Sequence, residues 1–326
     1  MTPLPSAPPL PSAPPLPSAP PLPSAPPLPF APPLPFAPPL PHRRLRVGCG
    51  EWGFRALPMA DHFRIADEFG FRELEFGIGG GQPGRLPEAP SAADIAAYRG
   101  LVASSGIATP GCCIENDFSG GGPEEVASAV VTAIRQSRAA AECGARQVRY
   151  FAGFTPWAAM DEARYARMVD ALIACDRELE RLGMSMAIET HGAIDHRPDG
   201  SALHTHTVTT HPAGLRRLLA DLPASIGFNY DPGNLRAADP ADRSCAVDLL
   251  RGRITYCHLK DWARDGEGWR AAAVGDVADG IDWADLLPRT GYDGTFLIEY
   301  EPLHDTRDGI RRSLAALRAA GFELEY

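Results

Sequence analysis

The sequence predicts an α/β chain folded as a (β/α)8 TIM barrel behind a proline-rich N-terminal segment. Three observations carry this expectation. From Leu45 onward, short β-rich runs alternate with longer helical patterns. Eight such units, each of about 36 residues, fill the chain after the first 41 residues, which is the number and size of unit a TIM barrel uses. The main alternative, a doubly wound open sheet, usually has fewer strands and often a phosphate-binding glycine loop. The stretch Gly77–Gly84 is glycine-rich but does not follow GxGxxG, and it reads as a plain loop.

The strand candidates are Leu45–Gly50, Glu73–Gly77, Ile107–Cys113, Gln147–Ala152, Ser185–Glu189, Ser225–Tyr230, Ile254–Leu259 and Thr295–Glu299. The helix candidates between and after them are Pro58–Phe69, Ala92–Ser104, Glu124–Cys143, Ala159–Leu182, Pro212–Asp221, Pro240–Leu250, Trp283–Arg289 and Thr306–Ala320. Ser91 stands where an N-cap belongs, and Pro123 just inside the third helix, where its missing N–H does no harm. Gly70, Gly106, Gly144, Gly183 and Gly291 follow helices as terminating glycines do.

Residues 1–42 form a separate unit, and residues 43–326 form the barrel. The first unit repeats a hexamer, Leu-Pro-Ser-Ala-Pro-Pro, from Leu4, Leu10, Leu16 and Leu22, with Phe30 and Phe36 replacing serine in the later copies. Prolines at this density preclude helix and sheet, so polyproline II or disorder is expected. A stiff spacer or a ligand for a proline-binding domain would suit such a segment. Near-perfect copies point instead to a tandem DNA repeat or a start codon placed too early. It lacks the basic start and apolar core of a signal peptide.

The net charge is −10, all of it outside the first 41 residues. An acidic folded part argues against nucleic acid and anionic membrane as partners. No apolar run is long enough to span a bilayer. The seven cysteines are odd in number, scattered and without CxxC. They read as reduced and mostly buried, which fits the cytoplasm.

Strand ends are where a TIM barrel keeps its chemistry. Strands one to four end in Cys49, Glu51 and Trp52; in Glu75; in Glu115 and Asn116; and in Phe151. Strands five to eight end in Glu189 (AIETHG), Asp231 (NYDPGN), His258 (CHLKDW) and Glu299 (LIEYEP). Three carboxylates and an imidazole thus close four consecutive strands. Carboxylates crowded at buried strand ends repel one another and resist ionisation unless a cation neutralises them. An oxygen-rich set with one imidazole suits Mn2+, Mg2+ or Co2+ and admits Zn2+.

With these motifs in place, the chain from about Arg46 resembles the xylose isomerase-like TIM-barrel superfamily, often called sugar phosphate isomerase/epimerase. Its members include ketose 3-epimerases, hydroxypyruvate isomerases, inosose dehydratases and endonuclease IV. The matching pieces are IET, DPGN, HLKD, IEYE and the glycine-containing stretch VGDVADGIDW from Val274 to Trp283. The resemblance implies one divalent metal ion, Mn2+ first, held by Glu189, Asp231, His258 and Glu299. It also implies that Arg264, six residues after the histidine, contacts substrate. Two departures stand out. Ketose epimerases and endonuclease IV carry a histidine three residues after the aspartate, where this chain has Asn234. The extra strand-end histidines of endonuclease IV, including its D-x-H pair, are absent, so a trinuclear nuclease centre is not expected.

The resulting expectation is an isomerase or epimerase of a sugar, keto-sugar or cyclitol that works through an enediolate. The metal acts as Lewis acid, and Glu189 and Glu299 are the catalytic acid/base pair. Loss of a β-hydroxyl from the same intermediate would give a lyase of inosose dehydratase type, the main alternative. A barrel subunit of a C-glycoside-cleaving complex and a non-catalytic ligand-binding barrel are further alternatives. Expected substrate contacts are His191, Asn234, Lys260, Arg264 and Trp52. Phe118, Trp157 and Trp262 are weaker candidates for an apolar wall. Gly192–Thr210 reads as a long polar loop, and its His196, His204 and His206 suggest a lid or a second metal through His204-x-His206 as alternatives to a solvated loop. No arginine cluster is apparent, which favours an unphosphorylated substrate. Substrate identity, metal identity and oligomeric state, a homo-oligomer included, stay open.

Overall fold

The structure, a computed structural model, describes residues 43–326. The proline-rich segment expected over residues 1–42 lies outside the described residues. In chain order the strands are β1 (Arg44–Cys49), β2 (Phe76–Ile78), β3 (Gly111–Ile114), β4 (Gln147–Tyr150), β5 (Ser185–Glu189), β6 (Ala193–His196), β7 (Ala202–Thr205), β8 (Gly227–Tyr230), β9 (Ile254–Leu259), β10 (Asp261–Asp265), β11 (Gly268–Ala272), β12 (Phe296–Ile298) and β13 (Glu323–Glu325). The helices are α1 (Met59–Glu68), α2 (Ala92–Ser105), α3 (Pro123–Cys143), α4 (Glu162–Arg181), α5 (Pro212–Asp221), α6 (Pro232–Ala238), α7 (Val247–Leu250), α8 (Trp283–Thr290) and α9 (Thr306–Ala319).

The expected TIM barrel is a curled parallel sheet in the order β13-β1-β12-β9-β8-β5-β4-β3-β2. Its ends meet at a parallel bridge between Cys49 and Leu74. There Cys49 N–H donates to the Glu73 carbonyl at 3.1 Å, and Glu75 N–H donates to the Cys49 carbonyl at 2.9 Å. β13 pairs with β1 outside the circle, Leu45 opposite Leu324.

Strand alternation builds two cores. In β5, Met186 and Ile188 join the large cluster between sheet and helices, whereas Ala187 packs with Tyr256 and Leu297 in a small separate cluster. In β9 and β12 the outward residues are Cys257, Leu259, Phe296 and Ile298. Side chains two apart share a face. The face of Ala187, Tyr256 and Leu297 therefore also carries Glu189, His258 and Glu299.

Several boundaries differ from expectation for local reasons. β3 begins at Gly111 rather than Ile107, because Pro110 has no N–H for the ladder. The helix expected over Pro240–Leu250 is replaced by α6, which starts directly after β8, and the short α7. Asp231 caps α6 with Pro232 at its first position, and Cys245 and Ala246 at positive φ interrupt the chain before α7. The region Gly192–Thr210 is not the plain loop expected. β6 and β7 form a hairpin that joins β10 and β11 in a second, antiparallel sheet in the order β10-β11-β7-β6. Ser91 caps α2 with a reciprocal bond to Asp94, and Gly106 ends the helix at φ 70°. All seven cysteines are free and buried. Among the described residues no helix is long and apolar enough to cross a membrane.

The closure of the barrel depends on a missing side chain. A Cβ at Gly48 would lie 2.6 Å from the Glu73 carbonyl and 2.8 Å from Leu297 Cδ2. Because the first obstacle is backbone, Gly48→Ala is expected to lower unfolding free energy by about 1–3 kcal/mol. Urea denaturation reads this, and a change near zero would contradict the closure described.

Candidate metal centre

Local sequence explains how each strand end presents its group. Asp231 is the N-cap of α6. Its Oδ1 accepts from Asn234 N–H at 2.9 Å, and its Oδ2 accepts from the Asn234 side-chain amide at 3.0 Å. Gly233 lies so close to the Lys260 carbonyl that a Cβ there would collide with it. The DPGN run thus combines a cap, a first-turn proline, a close approach of backbones and an amide aimed back at its own aspartate. In β9 the two-residue period sends His258 and then Lys260 to the same side.

One ligand atom from each of Glu189, Asp231, His258 and Glu299 lies within 4.8 Å of the others. His258 Nδ1 is 3.9 Å from Glu189 Oε2 and 3.6 Å from Glu299 Oε2. None of the four residues is more than 3% exposed. The Oε2 atoms of Glu189 and Glu299 are buried without a well-aligned hydrogen bond. Carboxylates crowded at this depth are costly, and a hard divalent cation satisfies such a donor set. The residues present therefore fit the implied metal.

The surrounding groups show the same surplus of negative charge. Lys260 Nζ lies 2.5 Å from Glu299 Oε2, 3.1 Å from Glu301 Oε2 and 3.8 Å from Asp231 Oδ2. Arg149 Nε is 3.0 Å from Glu189 Oε2. Arg85 sits between Glu51 at 3.4 Å and Glu115 at 2.6 Å. Burial, reinforced by Glu189 and Glu299 and opposed by Lys260, pushes the Asp231 carboxyl up to about 8. Burial also raises Glu189, against Arg149 and His258. Burial would raise Glu299 too, but Lys260 and then His258 hold it down at about 2. His258 is disfavoured as a cation by burial, yet Glu75 and Glu299 lift it to about 10.

The other expected contacts are distributed unevenly. Lys260 stands among the carboxylates. Asn234 donates to Glu189 Oε1 at 3.2 Å as well as to Asp231, and its Oδ1 accepts from Trp262 Nε1 at 3.3 Å. Both ends of its amide are thus engaged within the protein, where it links two of the candidate ligands. His191 is half-buried, with its ring edge against Phe151 and Phe154. Burial and then Lys260 keep it neutral, with its pKa lowered to about 4. Trp52 lies in a short 3-10 turn after β1 beneath the Arg55 guanidinium, 4.5 Å from it. Arg264 is exposed on β10, lying over Trp269 at 5.0 Å, and the structure does not bring it to the four ligands.

Of the weaker candidates, Phe118 is core, Trp157 stacks on His211, and Trp262 is buried against His204. Among the described residues, His204 and His206 belong to no group of three or more ligand side chains. Arg85 and Arg149 are both buried in the barrel and paired with carboxylates. They lie far apart in sequence and meet one charge network only when the barrel closes. An arginine inside the apolar strand run QVRY was the available signal for Arg149.

With this geometry in hand, the relatives are informative. The xylose isomerase-like TIM barrel family matches residues 63–320, and the chain belongs to it. No curated protein sequence matches the chain. Among solved structures, it is similar to 3-keto-D-glucoside 4-epimerase from E. coli, with 15% identity, 85% of this chain and 100% of that one covered, and a TM-score of 0.62. It is similar to a xylose isomerase-like TIM barrel protein from Mycobacterium smegmatis in complex with magnesium, with 16% identity, 86% and 98% covered, and a TM-score of 0.59. A probable 3-DHS dehydratase from Bacillus anthracis is also similar, with 14% identity, 84% and 98% covered, and a TM-score of 0.62. At these identities the likeness speaks for the fold.

Lys260 is the cation that three carboxylates share. Removing it leaves buried negative charge without a partner, which costs about 3–5 kcal/mol. Lys260→Met is therefore expected to destabilise the ion-free protein by that order in urea unfolding. Wild-type stability in that variant would show the carboxylates to be balanced by something else.

Proposed function

We propose that this chain is a metal-dependent isomerase or epimerase acting on an unphosphorylated sugar, keto-sugar or cyclitol. The observation that carries this reading is the convergence of three buried carboxylates, Glu189, Asp231 and Glu299, on His258, with one ligand atom of each within 4.8 Å of the others. Glu189, Asp231, His258 and Glu299 would hold one divalent cation, with Mn2+ preferred and Mg2+, Co2+ or Zn2+ as alternatives. When bound, the cation supplies Lewis-acid polarisation of a hydroxy-carbonyl group.

The chain's own residues supply the proton transfer. One of Glu189 and Glu299 removes a proton from the carbon beside the carbonyl, and the other returns it. Return to the opposite face of the same carbon inverts it; return to the neighbouring carbon exchanges aldose and ketose. Arg149 fixes Glu189, Lys260 fixes Glu299, and Asn234 braces Glu189 against Asp231. Charge supports a neutral substrate. Arg85, Arg149 and Lys260 are each already engaged by carboxylates, and Glu51, Glu75, Glu115, Glu189, Asp231, Glu299 and Glu301 outnumber them. The free, buried cysteines suit a reducing, cytoplasmic setting.

One observation favours dehydration as a second reading. Asn234 stands where ketose epimerases have a histidine, and its amide is fully used within the protein. No imidazole from that position serves the substrate. The first step would be the same proton removal, followed by loss of a β-hydroxyl as water.

Two measurements test the proposal. In a Mn2+ titration, the wild type should bind one ion per chain and Asp231→Ala or His258→Ala none. Affinity should fall as pH drops from 8 to 6, because the ion-free Asp231, near 8, and His258, near 10, retain protons that the cation must displace. Unchanged binding in both variants sinks the metal claim. The second is a screen of ketoses, inososes and hydroxypyruvate in D2O. Deuterium uptake without water loss marks isomerase or epimerase chemistry, and water loss marks the lyase. Glu189→Gln and Glu299→Gln should each lower turnover about 10²–10⁴-fold with metal bound; normal turnover would remove their assigned roles.

A further inference from the structure

Beneath the four candidate ligands lies a second buried layer. Glu75, beside β2, is 1% exposed. Its Oε1 accepts from the Cys113 thiol at 2.5 Å, the Tyr256 hydroxyl at 2.7 Å and His258 Nε2 at 3.0 Å. Its Oε2 accepts from Glu51 N–H at 3.2 Å. Cys113 Sγ in turn accepts from Arg149 Nε at 3.2 Å, and that same nitrogen lies 3.0 Å from Glu189 Oε2. A continuous chain therefore runs from His258 through Glu75, Cys113 and Arg149 to Glu189.

Room for this layer is made on purpose in the sequence. A Cβ at Gly111 would collide with the Tyr256 hydroxyl, so glycine there lets the tyrosine cross the barrel to Glu75. Three donors converging on one oxygen require an acceptor, which an ionised carboxylate is and a protonated one is not fully. A neutral imidazole has a single N–H. If Glu75 takes that proton from Nε2, the lone pair is left on Nδ1. Nδ1 is the atom that faces Glu189 and Glu299.

We infer that Glu75 is a positioning residue for the metal centre: it holds His258 in the tautomer with hydrogen on Nε2, and through Cys113 and Arg149 it sets the orientation of Glu189. This rests on the metal reading above. Glu75, Cys113 and His258 also lie close enough together to suggest a second metal site. Two observations argue for positioning instead. The shared oxygen already has three donors, and the Arg149 guanidinium beside Cys113 opposes a further cation.

The test is titration of Mn2+ into full-length wild type, Glu75→Gln and Cys112→Ala, following the electron paramagnetic resonance signal of free Mn2+. Cys112 is the neighbouring thiol that faces the outer core, and its variant should bind as the wild type does. Glu75→Gln turns an amide N–H toward groups that are themselves donors, so Mn2+ affinity should fall about 10–100-fold with one ion still bound at saturation. Wild-type affinity in a folded Glu75→Gln protein overturns the inference. Two ions in the wild type, one of them lost in Glu75→Gln, overturns it in favour of a second metal site. No Mn2+ uptake by the wild type overturns the metal reading itself, and is told apart because the parent protein fails. Should Glu75→Gln not fold, 15N spectra of histidine-labelled, Mg2+-loaded wild type decide the matter. The His258 proton is expected on Nε2, and a proton on Nδ1 overturns the inference.

Discussion

Everything at the mouth of this barrel answers to one constraint: more carboxylates are buried there than the protein's own cations can balance. Glu189, Asp231 and Glu299 converge around His258; Lys260 is drawn among three acidic neighbours, Arg85 between two, and Arg149 is paired with Glu189. Like charges this close in a low-dielectric interior cannot all stay ionised without help. Asp231 responds by holding its proton near pH 8, and His258 by acquiring one. A divalent cation would replace those protons in one step.

The barrel delivers those donors through strand periodicity. Apolar residues facing the helices alternate with residues facing the axis, and the axis positions at the strand ends are the charged ones. Much of this was legible in the sequence. The alternation of short apolar runs with helical patterns gave eight units, and IET, DPGN, HLKD and IEYE marked the ends of the last four. What made them legible is that each lies next in sequence to the apolar run that positions it.

The parts that were not legible depend on contacts between distant segments. Glu75 and Tyr256 are 181 residues apart and meet only across the barrel axis. Arg149 was not singled out in the sequence, because only the fold sets it beside Glu189. The hairpin of β6 and β7 was hidden by its histidines and polar residues, because its partner strand, β11, comes much later in the chain. β13 was missed for a similar reason. Its three residues follow the last expected helix, and Arg44 on the neighbouring β1 meets both Glu323 and Glu325. Asn234 was visible as a departure from the family pattern, but its purpose was not. Only its bonds show an amide that links two candidate ligands, Glu189 and Asp231, and accepts from Trp262.

The most direct test of this account is a crystal structure of the protein grown with Mn2+, read by anomalous diffraction at the manganese edge. The account predicts one strong peak per chain, within coordination distance of Glu189, Asp231, His258 and Glu299 and on the Nδ1 side of the imidazole. A peak elsewhere, or none in crystals whose four side chains are ordered, would contradict it.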